Sequence, residues 1–145
     1  MRRTFRTLLA AALVFTVAAT AQADPDSSIP AKISDQIVAA LAKGDIDATG
    51  AIATKYMGPR AGDTVKTGFT SITTLGKSQY TDLVYSRDFG KTEKDIIYKI
   101  DFEKAFAFVR LVWHVDSGEW HLIHLNYKTD NNLPFPTGWE HIYPK

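Results

Sequence analysis

The chain has 145 residues, enough for one ordinary domain and too few for two. Apolar residues make up 45% and charged residues 23%, values of a globular chain that exclude wholesale disorder. There is no cysteine, which excludes disulfides, thiolate zinc sites, iron–sulfur clusters, cysteine nucleophiles and lipoprotein acylation.

Residues 1–23 read as a secretory signal. Arg2, Arg3 and Arg6 form a basic start, Leu8 to Ala19 is apolar except for Thr16, and Ala21-Gln22-Ala23 is a small-x-small cleavage site before Asp24. The apolar run is about a dozen residues where a spanning helix needs about 20, so no retained membrane segment is expected. Cleavage after Ala23 takes Lys+Arg from 17 to 14 against 16 Asp+Glu, a net charge of about −2. Nucleic-acid binding needs a basic stripe, and none is visible. The expected location is periplasmic or secreted, with residues 24–145 as one domain stabilised by its core alone.

After a short polar leader, a first helix is predicted from about Pro30 to Lys43. Ser28 suits its cap, and Ile33, Ile37, Val38 and Leu41 share one face. Gly44 suits a left-handed stop. Asp45 or Asp47 caps a second helix running to about Met57, with Ala48, Ile52 and Tyr56 as its stripe and Gly58-Pro59 as its end. The Thr-rich stretch from Asp63 to Leu75 has strand-like composition. Its apolar residues Val65, Phe69, Ile72 and Leu75 nevertheless recur at helical spacing, which predicts a third helix ending at Gly76.

Beyond Gly76 the period changes to two. Four strands are predicted, at about Gln79–Phe89, Asp95–Phe102, Ala105–Val115 and Trp120–Lys128. The connections are far too short for parallel crossovers, so the strands form an antiparallel meander. The fold class expected is α+β, with N-terminal helices packed on a curved four-stranded sheet. The tail, residues 132–145, holds three prolines with Phe135, Trp139 and Tyr143 and cannot be a central strand. Its aromatics are expected to pin it to the body.

A tight turn at Glu103-Lys104 puts Ile96, Tyr98, Ile100 and Phe102 on one face with Ala105, Ala107, Val109, Leu111 and Trp113. That apolar face belongs under the helices. The last hairpin admits two registers. A two-residue turn at Ser117-Gly118 pairs Val115 with Trp120 and gathers His114, Asp116, Glu119 and His121 on one face. A three-residue turn, Asp116-Ser117-Gly118, pairs Val115 with Glu119. Ile123, Leu125 and Tyr127 then face the helices. Trp120, Leu122, His124 and Asn126 join Phe106, Phe108, Arg110, Val112 and His114 outside, with Arg110 opposite His124. The bulged register gives the cleaner partition and is the one expected. Its outer face is too apolar to stand bare in water, so it needs a partner subunit, a ligand or the tail.

Helices first, joined by a Gly-Asp link, then a long antiparallel meander: Leu41-Ala42-Lys43-Gly44-Asp45, Leu75-Gly76-Lys77 and Gly118-Glu119-Trp120 carry a resemblance to the nuclear transport factor 2-like and cystatin-like superfamily. More narrowly, the chain resembles secreted bacterial members of unknown function. The resemblance spans about Pro30 to Lys128. It implies a cone-shaped pocket between helices and sheet, and often a dimer through the sheet. The superfamily includes isomerases, dehydratases and non-enzymatic accessory domains, so the fold does not settle function. The isomerase branch needs a Tyr and an Asp converging on an enolate. No motif places Tyr56, Tyr98 or an Asp of this chain in those roles.

The ligand-binding candidates are Arg110, His124 and Asn126, with Trp120 beside them. Arg offers a planar fork to a carboxylate, and His titrates near neutral pH. An internal polar network or a dimer contact explains the same residues. In the two-residue register, His114, Asp116, Glu119 and His121 form an alternative metal set, since imidazole with carboxylate suits zinc or copper. His121 and His124, three apart on a strand, point to opposite faces and make no metal pair. Asp82, Asp88, Asp95 and Asp101 alternate with Lys94, Lys99 and Lys104 and read as a solvated charged edge. There is no nucleophile elbow, no phosphate-cradling loop and no motif for a cofactor. The function expected is a non-enzymatic binding or accessory domain, dimeric through the sheet face, with a small molecule as a further possible partner. The alternatives are a small-molecule isomerase or lyase, and an envelope protein-interaction module.

Overall fold

A computed structural model describes residues 25–129. The expected signal segment, residues 1–23, and the aromatic tail, residues 132–145, lie outside the described residues. Helix α1 spans Ile29–Ala42, α2 Ile46–Met57 and α3 Ala61–Phe69, followed by a 3-10 segment, Thr70–Leu75. Strands β1 (Ser78–Phe89), β2 (Glu93–Phe102), β3 (Phe106–Asp116) and β4 (Glu119–Lys128) then form one antiparallel sheet in chain order. This is the α+β architecture expected, with the helices on one face of the meander. No helix among the described residues is long and apolar enough to cross a membrane.

Local chemistry sets the helix boundaries. Gly44 has φ 71°, and the bonds from Asp45 N to Ala40 O and from Gly44 N to Leu41 O close α1 in a Schellman turn. Asp45 then caps α2 by accepting from Ala48 N at 2.9 Å. Ser28 occupies the cap of α1, but its side chain makes no capping bond. The third predicted helix is α-helical only as far as Phe69. Beyond it, Thr73 and Thr74 hydroxyls bond the carbonyls three residues back, each at 2.7 Å. Such back-bonding along a β-branched run accompanies the tighter 3-10 form.

The inward face of α2 is made of small residues, Thr49, Gly50 and Ala53, with Ile52 and Tyr56 at its margin. Close approach of α3 requires this. A Cβ added to Gly62 would lie 2.8 Å from Gly50 O.

The register of β2 with β3 is the one expected: Ile96 faces Leu111, Tyr98 faces Val109 and Ile100 faces Ala107. Ile37, Leu41, Ile72, Ile100, Val109, Leu111 and Trp113 are fully buried between helices and sheet. At about 1.5–3 kcal/mol per large apolar side chain, this layer is the main source of stability.

The last hairpin departs from the expected register. Ser117 (φ 53°) and Gly118 (φ 85°) both have positive φ, the signature of a two-residue type I′ turn. Val115 accordingly pairs with Trp120, and Trp113 with Leu122. Trp120 and Leu122 therefore belong to the helix-facing core, at 7% and 1% exposure, and not to the outer face. The bulge lies further along the strand, because Val112 pairs with His124 and leaves Ile123 as the extra residue. Ile123 is 56% exposed, whereas Leu125 and Tyr127 return to the helix side and pack on the core. A mid-strand bulge thus buries Trp120 and Leu122 before it and Leu125 and Tyr127 after it, which neither unbroken register can do.

Candidate functional site

The outer face of the sheet, away from the helices, carries a second cluster. Tyr85, Ile97 and Phe108 are buried there at 7%, 0% and 8% exposure, with Val84 and Phe106 packed against them. Ile97 lies between Tyr85 on β1 and Arg110 on β3. Around this apolar centre stand the polar candidates.

Arg110 donates from Nε to Asp95 Oδ1 at 3.0 Å and from Nη2 to Asp95 Oδ2 at 2.6 Å. Asp95 is 2% exposed, so it is a buried ion-pair partner and not part of a solvated edge. The bonds to Asp95 hold the Arg110 guanidinium above its ordinary pKa. Partial burial opposes them, and the charges of Asp95 itself, then Tyr85 and Glu93, add a smaller push upward. Arg87 stands directly opposite Asp95 on β1 but lays its guanidinium over the Phe89 ring, 4.8 Å from the centroid. The β2–β3 register sets Arg110 and Asp95 on one face at diagonal positions.

The shifted register of β4 rearranges the other candidates. Asn126, not His124, lies opposite Arg110, and His124 lies opposite Val112. Both remain on the outer face, His124 exposed and Asn126 half-buried. Trp120 is separated from them by the whole thickness of the sheet. It lines a cleft of about 350 Å³ with Pro25, Ser27, Asp88, Gly90, Lys91 and Lys94.

The same register sets His114 opposite His121 and Asp116 opposite Glu119, all exposed. Among the described residues, no group of three or more His, Asp or Glu side chains is placed to hold a metal ion. Of the other acidic residues, Asp88 pairs with Lys94 at 3.1 Å and Asp101 with Lys99 at 2.6 Å.

Between helices and sheet, two side-chain hydrogen bonds link α1 to the strands. Trp113 Nε1 donates to Ser34 Oγ at 2.9 Å, and the Tyr56 ring meets Trp113 edge-on at 5.5 Å. Tyr98 Oη donates to Asp35 Oδ1 at 2.6 Å. Burial first, and that bond second, push the Tyr98 phenol well above its usual pKa. A Tyr and an Asp therefore do converge, a contact the sequence patterns missed. They bond each other, Tyr98 is only 6% exposed, and the surrounding layer is filled by apolar side chains.

The described residues thus define an α+β domain with a packed interior and a structured outer sheet face. No protein-family model and no curated protein matches the chain. Two solved structures are similar in outline. A DUF4783 family protein from Bacteroides uniformis aligns with a TM-score of 0.49 and 8% identity, over 68% of this chain and 97% of that one. A protein assigned as a calcium/calmodulin-dependent protein kinase type II association domain, from Thiobacillus denitrificans, aligns with a TM-score of 0.48 and 14% identity, over 68% of this chain and 92% of that one.

Proposed function

We propose that the chain is an exported, non-enzymatic binding or accessory domain of the nuclear transport factor 2-like kind, which pairs with a second copy of itself through the outer sheet face. The observation that carries this reading is the division of apolar surface. The space beneath the helices is occupied by fully buried side chains such as Trp113, Leu41 and Leu111, which leaves the sheet's other face as the structured surface. That face has its own buried cluster, Tyr85, Ile97 and Phe108, and the edge strand β4 carries the exposed Ile123. It also holds the Arg110–Asp95 fork, a directional polar contact that suits orientation more than raw affinity.

Two measurements test the reading. The chain starting at Asp24 should sediment as a dimer, and the double variant Phe106→Glu/Ile123→Glu as a folded monomer. A wild-type monomer, or a dimer indifferent to both charges, contradicts it. Mass analysis of protein secreted by a bacterial host should find Asp24 at the N-terminus; an intact Met1 in the cell pellet contradicts export.

A further inference from the structure

One row of residues crosses the outer face at its hairpin end. Phe89, Glu93, His114 and His121, one from each strand, stand directly opposite one another in turn. Asp116 and Glu119 make the next rung of β3 and β4, just before the turn. This end of the face therefore presents two imidazoles and three carboxylates, with no Lys or Arg on either rung.

Two observations point to a cation. The first is that these polar groups are accessible and unmatched. His114 and His121 are exposed, and neither imidazole has a hydrogen-bond or ion-pair partner among the described residues. Glu93 and Glu119 make no ion pair among them either; Glu93 acts on Arg110 through charge alone. Elsewhere on the same face Asp95 is held by Arg110 and Asp101 by Lys99.

The second observation is geometric. Residues directly opposite on an antiparallel pair have Cβ atoms about 5 Å apart. Two imidazole nitrogens on one metal, each bound at about 2 Å, lie about 3 Å from each other. Facing histidines reach that separation by rotating χ1 and χ2 alone, with no movement of the backbone. His114 and His121 are the third pair from the turn, and Ser117 and Gly118, both at positive φ, fix that turn.

We infer that His114 and His121 chelate one divalent transition cation of the kind imidazole prefers, zinc or copper(II), with water completing its shell. Glu93, Asp116 and Glu119 supply the negative field around it. Among the described residues no group of three or more His, Asp or Glu side chains is placed around a metal, so the site has two protein ligands. Both come from one copy of the chain, so binding does not require the dimer.

Zinc is the probe, titrated into the chain starting at Asp24 while the histidine ring resonances are followed. Those of His114 and His121 should shift together and saturate at one zinc per chain, with a Kd of about 100 µM or tighter, while His124 stays. His114→Gln and His121→Gln, both at exposed positions where substitution costs little stability, should each weaken zinc at least about tenfold. His124→Gln should leave the affinity unchanged. Copper(II) should bind more tightly than zinc, and magnesium, which prefers oxygen ligands, at least about tenfold more weakly. No saturable shift at about 2 mM zinc, a shift of one ring only, an equal loss in His124→Gln, or magnesium binding as well as zinc would overturn the inference. Sedimentation of the same samples reads the dimer separately, so neither result decides the other.

Discussion

Arg110 and Asp95 face each other diagonally across β2 and β3 and share two hydrogen bonds, of 3.0 and 2.6 Å, on the side of the sheet away from the helices. Asp95 is 2% exposed and the Arg110 side chain 25%. A carboxylate buried this far is tolerable only while its partner is present. Arg110→Met or Asp95→Asn alone should therefore cost about 3 kcal/mol. Asp95→Asn/Arg110→Met, which removes both charges, should recover much of the loss. Urea unfolding of the two single variants and the double checks this. Additive losses would show that the pair is not coupled.

The β4 bulge gives a second prediction. Ile123 is the unpaired extra residue and stands in solvent, so Ile123→Ala should change stability by less than about 0.5 kcal/mol. Deleting Ile123 should also be tolerated, because Trp113–Leu122 and Val112–His124 then become consecutive pairs of one unbroken register. Leu125 and Tyr127 keep the helix side, with the Tyr127 hydroxyl at Ser71 and its ring at Phe69. The deletion should cost no more than about 1 kcal/mol, read from its thermal midpoint. A loss of several kcal/mol on deletion would refute the bulge.

Much of this arrangement could be read from the chain, and the exception has a definite cause. The helix spacing of Ile33, Ile37 and Leu41, the Gly44-Asp45 link and the two-residue period after Gly76 determine the architecture. The β2–β3 face follows from one short turn. For β4, period-two reasoning compares unbroken registers only. Ser117-Gly118 favours the tight turn, while Leu125 and Tyr127 favour the shifted phase; both demands are met because Ile123 absorbs the mismatch. Since Arg110 and Asp95 lie on neighbouring strands, no local motif pairs them; the alternation of Asp95 with lysines read as a solvated edge, and only the β2–β3 register sets the two on one face. Asp35 and Tyr98 lie in different layers, and nothing in the spacing of either element announces their contact.

The Tyr98–Asp35 bond makes stability depend on alkaline pH. The phenol's pKa is raised in the folded state, by burial and then by the bond to Asp35. Its contribution is complete below the unfolded value of about 10 and is lost as pH rises above that value toward the higher folded one. The wild type should lose stability between about pH 9.5 and 11 more steeply than Tyr98→Phe, as measured by urea midpoints. Parallel curves would contradict the assignment.

Close packing of α2 on α3 gives a fourth expectation. Gly62→Ala places a methyl group against Gly50 O and the Thr54 hydroxyl, so the helices must part, at a cost of about 1–3 kcal/mol. Gly68, with open space around its Cα, should instead gain slightly from alanine through helix propensity. Thermal unfolding of the two variants should move in opposite directions; a shared sign would argue against the close approach.

The chain has no cysteine, so one introduced cysteine carries a spin label at one place only, and dipolar spectroscopy can read distances between two copies. His121 is exposed on the outer face and Gln36 on α1. If two copies meet through the sheet, His121→Cys gives a discrete short distance between labels and Gln36→Cys a longer one. A featureless decay from both, or the shorter distance from Gln36, contradicts pairing through this face.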